Sequence, residues 1–473
     1  MKRIVVATVV TIFIGSCAVG PDYKRPNIKL PEQHRGSGTL TDADKKSFAD
    51  LPWWEVFKDP ILKSLIEEAL RGNLDLRIAA ARAEQFRELA RIPRGDYYPQ
   101  LNYSAMGNYG KNVPNQGLPD INKSKMGMGD VSLQWEIDVW GKVRRASESA
   151  TAQYFASIEA RRDITLILIT DVANAYFQLR ALDNELEIAK RSTDSFKDTY
   201  DLFTKRYKGG DASLLGSTRA GAALAQVAAT IPDLENQIFE TENQINFLLG
   251  RTPGPVPRGF ALSEQYMSPK TPAGLPSALL ERRPDIREAE QSLVSANADI
   301  GVAKANFFPQ FSLTGLLGAS TPDLKAFSHS WSVGGNVAGP IFNGGKIFAN
   351  YEATKQAYEQ VKSQYEKTVM NALREVANAI MFQQKLEQMR VQQQKQVDFL
   401  RTATKLSLSR YTRGLASYTE VLDAQQQLFP AESSLAVTEG NRLLAMVQLF
   451  RALGGGWDNP VPPDKKKTTT DNK

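Results

Sequence analysis

Residues able to carry out catalysis are sparse in this sequence. The chain has two histidines, His34 and His329, and one cysteine, Cys17. The histidines lie in unrelated contexts, and we expect His329 in a solvated loop between two strands. The glycine pairs at 334–335 and 344–345 lack the lysine spacing of a phosphate-binding loop and instead predict close packing or a strand-to-helix bend. We therefore expect no enzyme activity, no metal site and no cofactor other than a covalent lipid.

The chemistry that the sequence does predict is lipidation near the N-terminus. Two basic residues precede the apolar run Ile4–Ile14, and two small residues separate that run from Cys17. This layout is typical of a cleaved signal peptide, here residues 1–16, and its end resembles the bacterial lipobox. The alternative is an ordinary signal with an accidental cysteine. A lone cysteine cannot form a disulfide within the chain, so we expect Cys17 to carry lipid such as palmitate. The residue after the cysteine is Ala18 and not an aspartate. By resemblance to other lipoproteins, this favours transfer to the outer membrane over retention in the inner membrane.

Composition excludes two further classes of protein. The net charge is +6, but basic and acidic residues are interspersed, which is typical of solvated helix faces and not of a nucleic-acid interface. After the N-terminus no apolar run approaches the roughly 20 residues that a membrane-spanning helix requires. The mature chain is therefore predicted to lack such a helix.

The elements that must position any functional residue come from an internal duplication. The stretch Asp75–Gln100 recurs as Asp285–Gln310, a displacement of 210 residues. Further along the displacement is 204, so that Gly210 returns as Gly414. The slip of six residues falls between Gln100 and Gly141, where a loop can absorb it. A duplication of this length predicts one architecture with internal pseudo-symmetry.

Two proline-free stretches predict very long helices, Lys142–Lys208 and Lys346–Arg413. Each has about 67 residues, or about 100 Å of helix. Helices of this length belong to coiled coils or rod-like assemblies. Pro232 and Pro430 should bend two of the shorter helices, pairs of which would stack end to end beside each long one. The shorter helices are predicted at Leu74–Arg91, Ser213–Leu249, Asp285–Lys304 and Ser417–Leu453.

Four segments alternate between apolar and polar residues, as strands of a transmembrane barrel do. The alternative is a soluble antiparallel sheet with one wet face. Four strands cannot close a membrane barrel, and lipid does not tolerate an open sheet edge. Two copies of the chain would supply eight strands and three copies twelve, and only the larger barrel leaves a conduit. The segments are 101–105, 131–139, 311–315 and 331–337.

Several motifs together resemble one known family. Trp54–Phe57 and Asn73–Arg77 look like the opening of the TolC-type outer-membrane efflux proteins, in the lipidated NodT/OprM-like group of RND efflux systems. Arg282–Ile286 is similar to the most distinctive block of that group, and Leu453–Trp457 to its C-terminal motif. The order of these motifs behind a lipobox covers almost the whole mature chain.

The resemblance implies a mixed fold of α-helices and membrane β-strands. It implies a homotrimer whose 12-stranded outer-membrane β-barrel continues into a 12-helix periplasmic α-barrel. The implied function is a passive exit duct for drugs or other small compounds. The implied partners are a periplasmic membrane-fusion adaptor and an inner-membrane pump, commonly of the RND type. No substrate pocket is recognisable in the sequence.

Other classes remain open on the sequence. One is the outer-membrane duct of a type I protein secretion system. Another is a periplasmic coiled-coil scaffold anchored by lipid, which the amphipathic strands argue against. A lipid-anchored surface adhesin is the third, and the modest loops at 108–127 and 318–330 argue weakly against it.

The duplication also gives a division of the chain into domains. Segments outside the repeats are expected to form a belt around the equator of the tunnel. Each repeat contains a helix, a β-hairpin (about 100–140 and 310–342), a long helix and a further helix. The predicted ranges are 1–16 (signal peptide), 17–72 (lipid anchor and equatorial segment), 73–250 (first repeat), 251–282 (equatorial linker), 283–454 (second repeat) and 455–473 (equatorial tail).

Two short turns between a long helix and the next helix are the predicted adaptor-docking tips. Gly210 and Gly414 can adopt the positive φ that ends a helix. Three copies of the chain would bring six such turns to the periplasmic end. The small and polar residues expected at these tips are Gly210, Ala212, Ser213, Gly414, Ala416 and Ser417.

The expected periplasmic gate lies about two helical turns inside the second tip. Threefold symmetry would place three copies of the Asp423 carboxylate around one axis, with Thr419 one turn nearer the end on the same face. The alternative is that Asp423 has no gating role and is simply solvated on an exposed face of its helix. Arg410 and Arg413 are the nearest candidate partners for Asp423. Family members often carry an aspartate in the first tip, where this chain has Gly216.

Overall fold

The computed structural model describes residues 18–37, 47–110, 124–265, 272–321, 326–455 and 457. The predicted signal peptide, Cys17 and the tail beyond Trp457 lie outside these residues. Within them the protein is mostly helical, with one four-stranded sheet. No helix among the described residues combines the length and apolar character needed to cross a membrane.

Both predicted long helices are confirmed, and each has 67 residues. The region predicted as one helix after the first tip is divided at Ala229, three residues before Pro232. Proline is tolerated there because the first residues of a helix have no intrahelical partner for their N–H groups. Pro430 instead lies inside a helix that continues through it. The helices are α1 (Trp53–Val56), α2 (Pro60–Gly72), α3 (Leu74–Leu89), α4 (Ile92–Gly95), α5 (Lys142–Lys208), α6 (Leu214–Ala228), α7 (Thr230–Leu249), α8 (Leu279–Arg282), α9 (Pro284–Ala305), α10 (Lys346–Thr412) and α11 (Tyr418–Ala452).

The four strands form one antiparallel sheet in the order β1-β2-β3-β4. One apolar row crosses the sheet on a single face, because directly paired residues share a face. The register places in that row Tyr103, Val131, Leu317 and Trp331. The strands are β1 (Gln100–Gly110), β2 (Ser124–Ile137), β3 (Gln310–Thr321) and β4 (Ser328–Ala338).

The opposite face of the sheet is mainly polar. Asn102 pairs with Ser132 on this face, and the Ser104 hydroxyl donates to Asp130 Oδ1 at 2.5 Å. The expectation of His329 in a loop was wrong, because His329 is exposed within β4 and pairs with Ala319. β3 and β4 extend further toward the turn that joins them than the predicted segments 311–315 and 331–337.

The chain divides into two compact units, each built from three separate segments. The first, which we call the sheet unit, comprises the described residues within 1–28, 81–159 and 287–368. The second, the helical unit, comprises the described residues within 29–80, 160–286 and 369–473. The predicted domains instead follow the chain from repeat to repeat. The difference arises because elements of both repeats pack together, as when β2 pairs with β3.

Within the sheet unit, the segment that follows the predicted lipid anchor is held by ion pairs. Arg145 Nη2 lies 2.7 Å from Asp22 Oδ1, and Arg25 Nε lies 2.6 Å from Glu290 Oε1. The Tyr23 hydroxyl donates to the same Glu290 oxygen at 3.1 Å. Residues 22–25 are therefore fixed to α5 and α9.

Within the helical unit, a buried carboxylate fixes part of the predicted equatorial linker. Asp59, at the start of α2, accepts hydrogen bonds at 2.8 Å from the Tyr176 hydroxyl and the Gln265 amide, and at 3.0 Å from Phe260 N. Burial alone would raise the pKa of Asp59, but these side-chain hydrogen bonds lower it below its usual value. The network ties residues 260–265 to α2 and α5.

Candidate functional site: the two helical tips

The first tip is the turn between α5 and α6, and it begins with a left-handed glycine. Gly210 has φ +81°. Its N–H donates to the Tyr207 carbonyl at 3.0 Å, and Asp211 N donates to the Arg206 carbonyl at 2.9 Å. This pair of bonds is the Schellman arrangement, which satisfies carbonyls that the end of a helix would otherwise leave unpaired.

The second tip, between α10 and α11, repeats that geometry. Gly414 has φ +75°, its N–H donates to the Tyr411 carbonyl at 3.0 Å, and Leu415 N donates to the Arg410 carbonyl at 2.9 Å. A Cβ added at Gly210 or at Gly414 would meet no atom within 4 Å. Glycine is therefore required for its backbone conformation and not for space.

Serine side chains begin the helices that leave both tips. Ser213 Oγ accepts from Leu215 N at 3.2 Å, and Ser417 Oγ accepts from Glu420 N at 3.4 Å. Only the second tip forms a capping box, in which Glu420 Oε1 also accepts from Ser417 N at 3.1 Å. Each cap satisfies a backbone donor at the start of a helix, so the small and polar residues of the tips have a defined structural role.

Gly216, which stands where family members often carry an aspartate, faces the Tyr418 ring at the second tip. Gly216 is buried, and a Cβ at this position would lie 3.4 Å from the Tyr418 ring. Ala416 packs on the core cluster formed by Phe203 and Tyr411 with their neighbours, whereas Ala212 is half-buried at the turn. The two tips are therefore joined by a shared apolar core.

One arginine that the sequence analysis did not single out also connects the tips. The Arg206 guanidinium lies 4.6 Å from the centre of the Tyr411 ring, and Nη2 donates to the Thr412 carbonyl at 3.1 Å. Phe203 also packs on Tyr411, and the centres of the two rings are 4.9 Å apart. The only sequence signal was the recurrence of the Arg-Tyr pair at 206–207 and 410–411.

The predicted gate residues lie on an exposed face of α11. Thr419 and Asp423 are both exposed, and Asp423 Oδ2 accepts a hydrogen bond from Gln427 Nε2 at 2.9 Å. Arg410 donates to the Leu415 carbonyl at 3.2 Å, and Arg413 is exposed. Among the described residues, no ion pair joins Asp423 to either arginine, so the structure does not bring these candidate partners together within one chain.

The surface of the tips is apolar as well as small. Leu214, Leu215 and Leu415 are 54%, 52% and 64% exposed. Exposed leucines grouped around two turns are typical of a surface that contacts another protein. In the described part of the chain, no group of three or more histidine, cysteine, aspartate or glutamate residues could hold a metal ion. The described residues of the two tips therefore present exposed apolar side chains around capped turns.

Comparison with known proteins identifies the family of the chain. Residues 65–251 and 275–455 match the family described as outer membrane efflux protein. The cation efflux system protein CusC of Escherichia coli O6:H1 is 32% identical over 455 residues, which cover 95% of this chain and 97% of CusC. The probable outer membrane lipoprotein SilC of Salmonella typhimurium is 32% identical over 468 residues, with 97% of this chain and 100% of SilC covered.

A solved structure shows the same fold. The outer-membrane channel OprN superposes with a TM-score of 0.86 at 31% identity, over 93% of this chain and 100% of that one. The family match covers most of the chain, and the likeness extends along nearly the full length of each protein. The chain belongs to the outer membrane efflux protein family. It is an outer-membrane channel component of an efflux system, as the sequence motifs predicted.

Proposed function

We propose that three copies of this chain form a passive exit duct. In this assembly a 12-stranded β-barrel in the outer membrane continues into a 12-helix α-barrel in the periplasm. Compounds enter from an inner-membrane pump of the RND type through a periplasmic adaptor. The duct itself has no catalytic step.

The observation that carries this proposal is the amphipathic four-stranded sheet. Its strands have 11, 14, 12 and 11 residues, close to the roughly 9–11 residues that cross a bilayer in a barrel. Tyr103 and Trp331 lie exposed in the apolar row, at opposite edges of the sheet. Because β1 and β4 each pair with one strand in the order of the sheet, both keep one free edge.

Lipid cannot satisfy the backbone donors and acceptors of a free edge. Further copies of the chain can satisfy them, with β4 of one copy pairing with β1 of the next. Two copies would give an eight-stranded barrel, whose interior side chains fill, whereas three copies leave a conduit. The polar face of the sheet, which includes Asn102, Ser132 and Asp130, would then line the water-filled interior.

The tips support the proposed docking to the adaptor. Their turns are capped by backbone and serine hydrogen bonds, and Leu214, Leu215 and Leu415 present exposed apolar side chains around them. Asp423 would act as the periplasmic gate. Its side chain is exposed on α11, so three copies could face one another around the threefold axis of the trimer. Thr419 lies one turn away on the same face, and Arg410 and Arg413 would pair with carboxylates only across copies of the chain.

The experiment that tests the proposal measures stoichiometry and conductance of the full-length protein in mild detergent. Native mass spectrometry should show three chains, and planar bilayers should show discrete conductance steps. Expression together with an RND pump and its adaptor, in a strain lacking its own channel, should restore drug resistance. A single chain without conductance would contradict the barrel, and a trimer that conducts but never restores resistance would contradict the assignment to an RND system.

The proposed lipid on Cys17 has a separate test. A single acyl chain binds membranes only weakly, so the barrel must supply the main attachment. Cys17→Ser, with an ordinary cleavage site supplied, should therefore leave the trimer inserted in the outer membrane. Mass spectrometry of the wild-type N-terminal peptide should show acylation. An unmodified cysteine would contradict the lipid, and complete loss of membrane association in the variant would contradict the barrel.

A further inference from the structure

The helical unit contains a cavity that the tips and the predicted gate do not use. Its volume is about 980 Å³, at the upper end of the roughly 300–1,000 Å³ typical of small-molecule sites. Its wall is formed by α5, the start of α9, the middle of α10 and the end of α11. Both charged and apolar side chains line it, so its chemistry can be read from their partners.

Most charged groups around the cavity are already paired. Arg283 is 8% exposed, and its Nη2 and Nη1 lie 2.7 Å from Asp285 Oδ2 and 2.8 Å from Glu375 Oε2. Arg451 Nη1 lies 3.8 Å from Asp171, and Lys385 Nζ donates to Gln388 at 3.1 Å. Both of these bases are exposed. One buried arginine is therefore shared between two carboxylates, and the remaining cations lie in solvent.

Among the described carboxylates that line the cavity, Asp163 is the one without a close partner. It lines the cavity from α5, and none of the interactions that act on it among the described residues is a hydrogen bond. Burial raises the pKa of Asp163 to about 6, the carboxylates of Asp285 and Glu375 add to the rise, and Arg283 and Arg451 oppose it. A carboxylate in this setting gains from a cation that comes to it, because no cation within the described part of the chain forms an ion pair with it.

The apolar part of the wall lies on α5 and α10. Met381 and Phe382 are 41% and 42% exposed, and Leu166 and Ala379 are buried beside the cavity. An aromatic face attracts cations, and methionine adapts its shape to varied apolar bodies. The cavity thus combines an unneutralised carboxylate with a deformable apolar wall.

We propose that this cavity binds a hydrophobic organic cation, with the positive charge at Asp163 and the apolar body against Met381 and Phe382. The site goes beyond the proposed duct. Its biological use rests on the duct in one respect, since transport would bring such cations to it. Binding itself requires only the folded protein.

The test uses tetraphenylphosphonium and tetraphenylborate, which have the same shape and opposite charge. Isothermal titration calorimetry of the full-length protein in mild detergent at pH 7.5 should give one site per chain for the cation. The anion should bind at least about tenfold more weakly. Asp163→Asn should remove this preference, and Phe382→Ala should weaken binding of the cation. Asp198→Asn is the matched control, because Asp198 is an exposed carboxylate on the same helix and lies outside the lining of the cavity.

The pH dependence provides a second readout. The charge of tetraphenylphosphonium does not change with pH, so any change in affinity reports a group of the protein. Binding should weaken about tenfold between pH 7.5 and pH 5 as Asp163 takes up a proton, and Asp163→Asn should abolish this dependence.

Three results would overturn the site: no binding of the cation, equal binding of both ions, or identical titrations for wild type and Asp163→Asn. Any of them would leave the proposed duct intact, because the measurement involves no transport. Conversely, loss of conductance or of the trimer would not remove a site that lies within one chain.

Discussion

The Arg206 guanidinium stacks on the Tyr411 ring at 4.6 Å and donates to the Thr412 carbonyl at 3.1 Å. A cation from the first long helix thus caps the end of the second one. The equivalent residue in the second repeat, Arg410, donates instead to the Leu415 carbonyl in its own turn. Cations are favoured at the C-terminal end of a helix, where carbonyls lack intrahelical partners. The duplication therefore ends in an asymmetric contact that ties one tip to the other.

Replacing Arg206 with methionine should loosen the second tip. The variant keeps an unbranched apolar stem but loses the charge and the hydrogen bond to Thr412. We expect a local loss of about 1 kcal/mol, or about fivefold faster hydrogen exchange at the amides of Gly414 and Leu415. Exchange monitored by mass spectrometry on the detergent-solubilised channel measures this directly.

The matched control for this variant is Lys205→Met. Lys205 is exposed, precedes Arg206 in the chain and carries the same charge. Its replacement should leave exchange at the second tip unchanged. Equal acceleration in both variants would mean that net charge, and not the contact with Tyr411, protects the turn.

The tip glycines should tolerate no side chain. Gly210→Val and Gly414→Val each force a β-branched residue into a left-handed conformation, at a cost of about 1–2 kcal/mol. The turns should distort and lose binding to the adaptor, while the trimer persists because its barrel is elsewhere in the chain. Gly209→Ala is the control, since a Cβ there meets the nearest atom at 3.5 Å and no positive φ is required. Adaptor pull-down and native gels separate the two effects, and unchanged pull-down by both valine variants would exclude the tips as the docking surface.

The regular elements were predictable because they depend on local pattern. The helix Lys142–Lys208 has the same ends in the sequence prediction and in the structure, since glycine and small residues mark both. The sheet was predictable from alternation, although β3 and β4 extend further than expected. The bend predicted at Pro232 is instead a break between two helices at Ala229, and Pro232 lies within the first turn of the new helix, where a proline fits.

The contacts between distant segments were not predictable in this way. Arg410 was expected to pair with Asp423, but it donates to a backbone carbonyl five residues away. Arg206 contacts Thr412, which lies 206 residues further along the chain, and no local sequence pattern predicts such a contact. Asp163 lies in a long helix among ordinary charged residues, so its cavity emerges only when α5, α9, α10 and α11 are packed.

Asp163 should destabilise the protein near neutral pH. Its folded-state pKa is raised from 3.8 to about 6, so the folded state holds the proton more tightly than the unfolded state. Stability therefore falls as pH rises from about 4 through 6, by about 1–3 kcal/mol. Asp163→Asn removes this penalty, so its melting temperature should exceed that of wild type clearly at pH 7.5 and only slightly at pH 4.

Differential scanning fluorimetry at these two pH values provides the measurement. Asp198→Asn is the comparison, because Asp198 is an exposed carboxylate on the same helix. It should shift the melting temperature little at either pH. A stabilisation by Asp163→Asn that is equally large at pH 4 would show that the cause is packing and not ionisation.

Asp423 should control ion passage if three copies of its carboxylate surround one axis. Removing a charge at contact distance in water changes a cation's energy by about 1 kcal/mol, so Asp423→Asn should lower cation occupancy at the narrowest point about fivefold. Cation selectivity of the isolated trimer in planar bilayers should fall accordingly. Asp423→Ala, which also shortens the side chain, should raise single-channel conductance as well.

Asp398→Asn is the matched control, because Asp398 is exposed on α10 and accepts a hydrogen bond from Gln394, four residues away, as Asp423 does from Gln427. Conductance and selectivity equal to wild type in both Asp423 variants would place this carboxylate outside the conduit and the gate elsewhere.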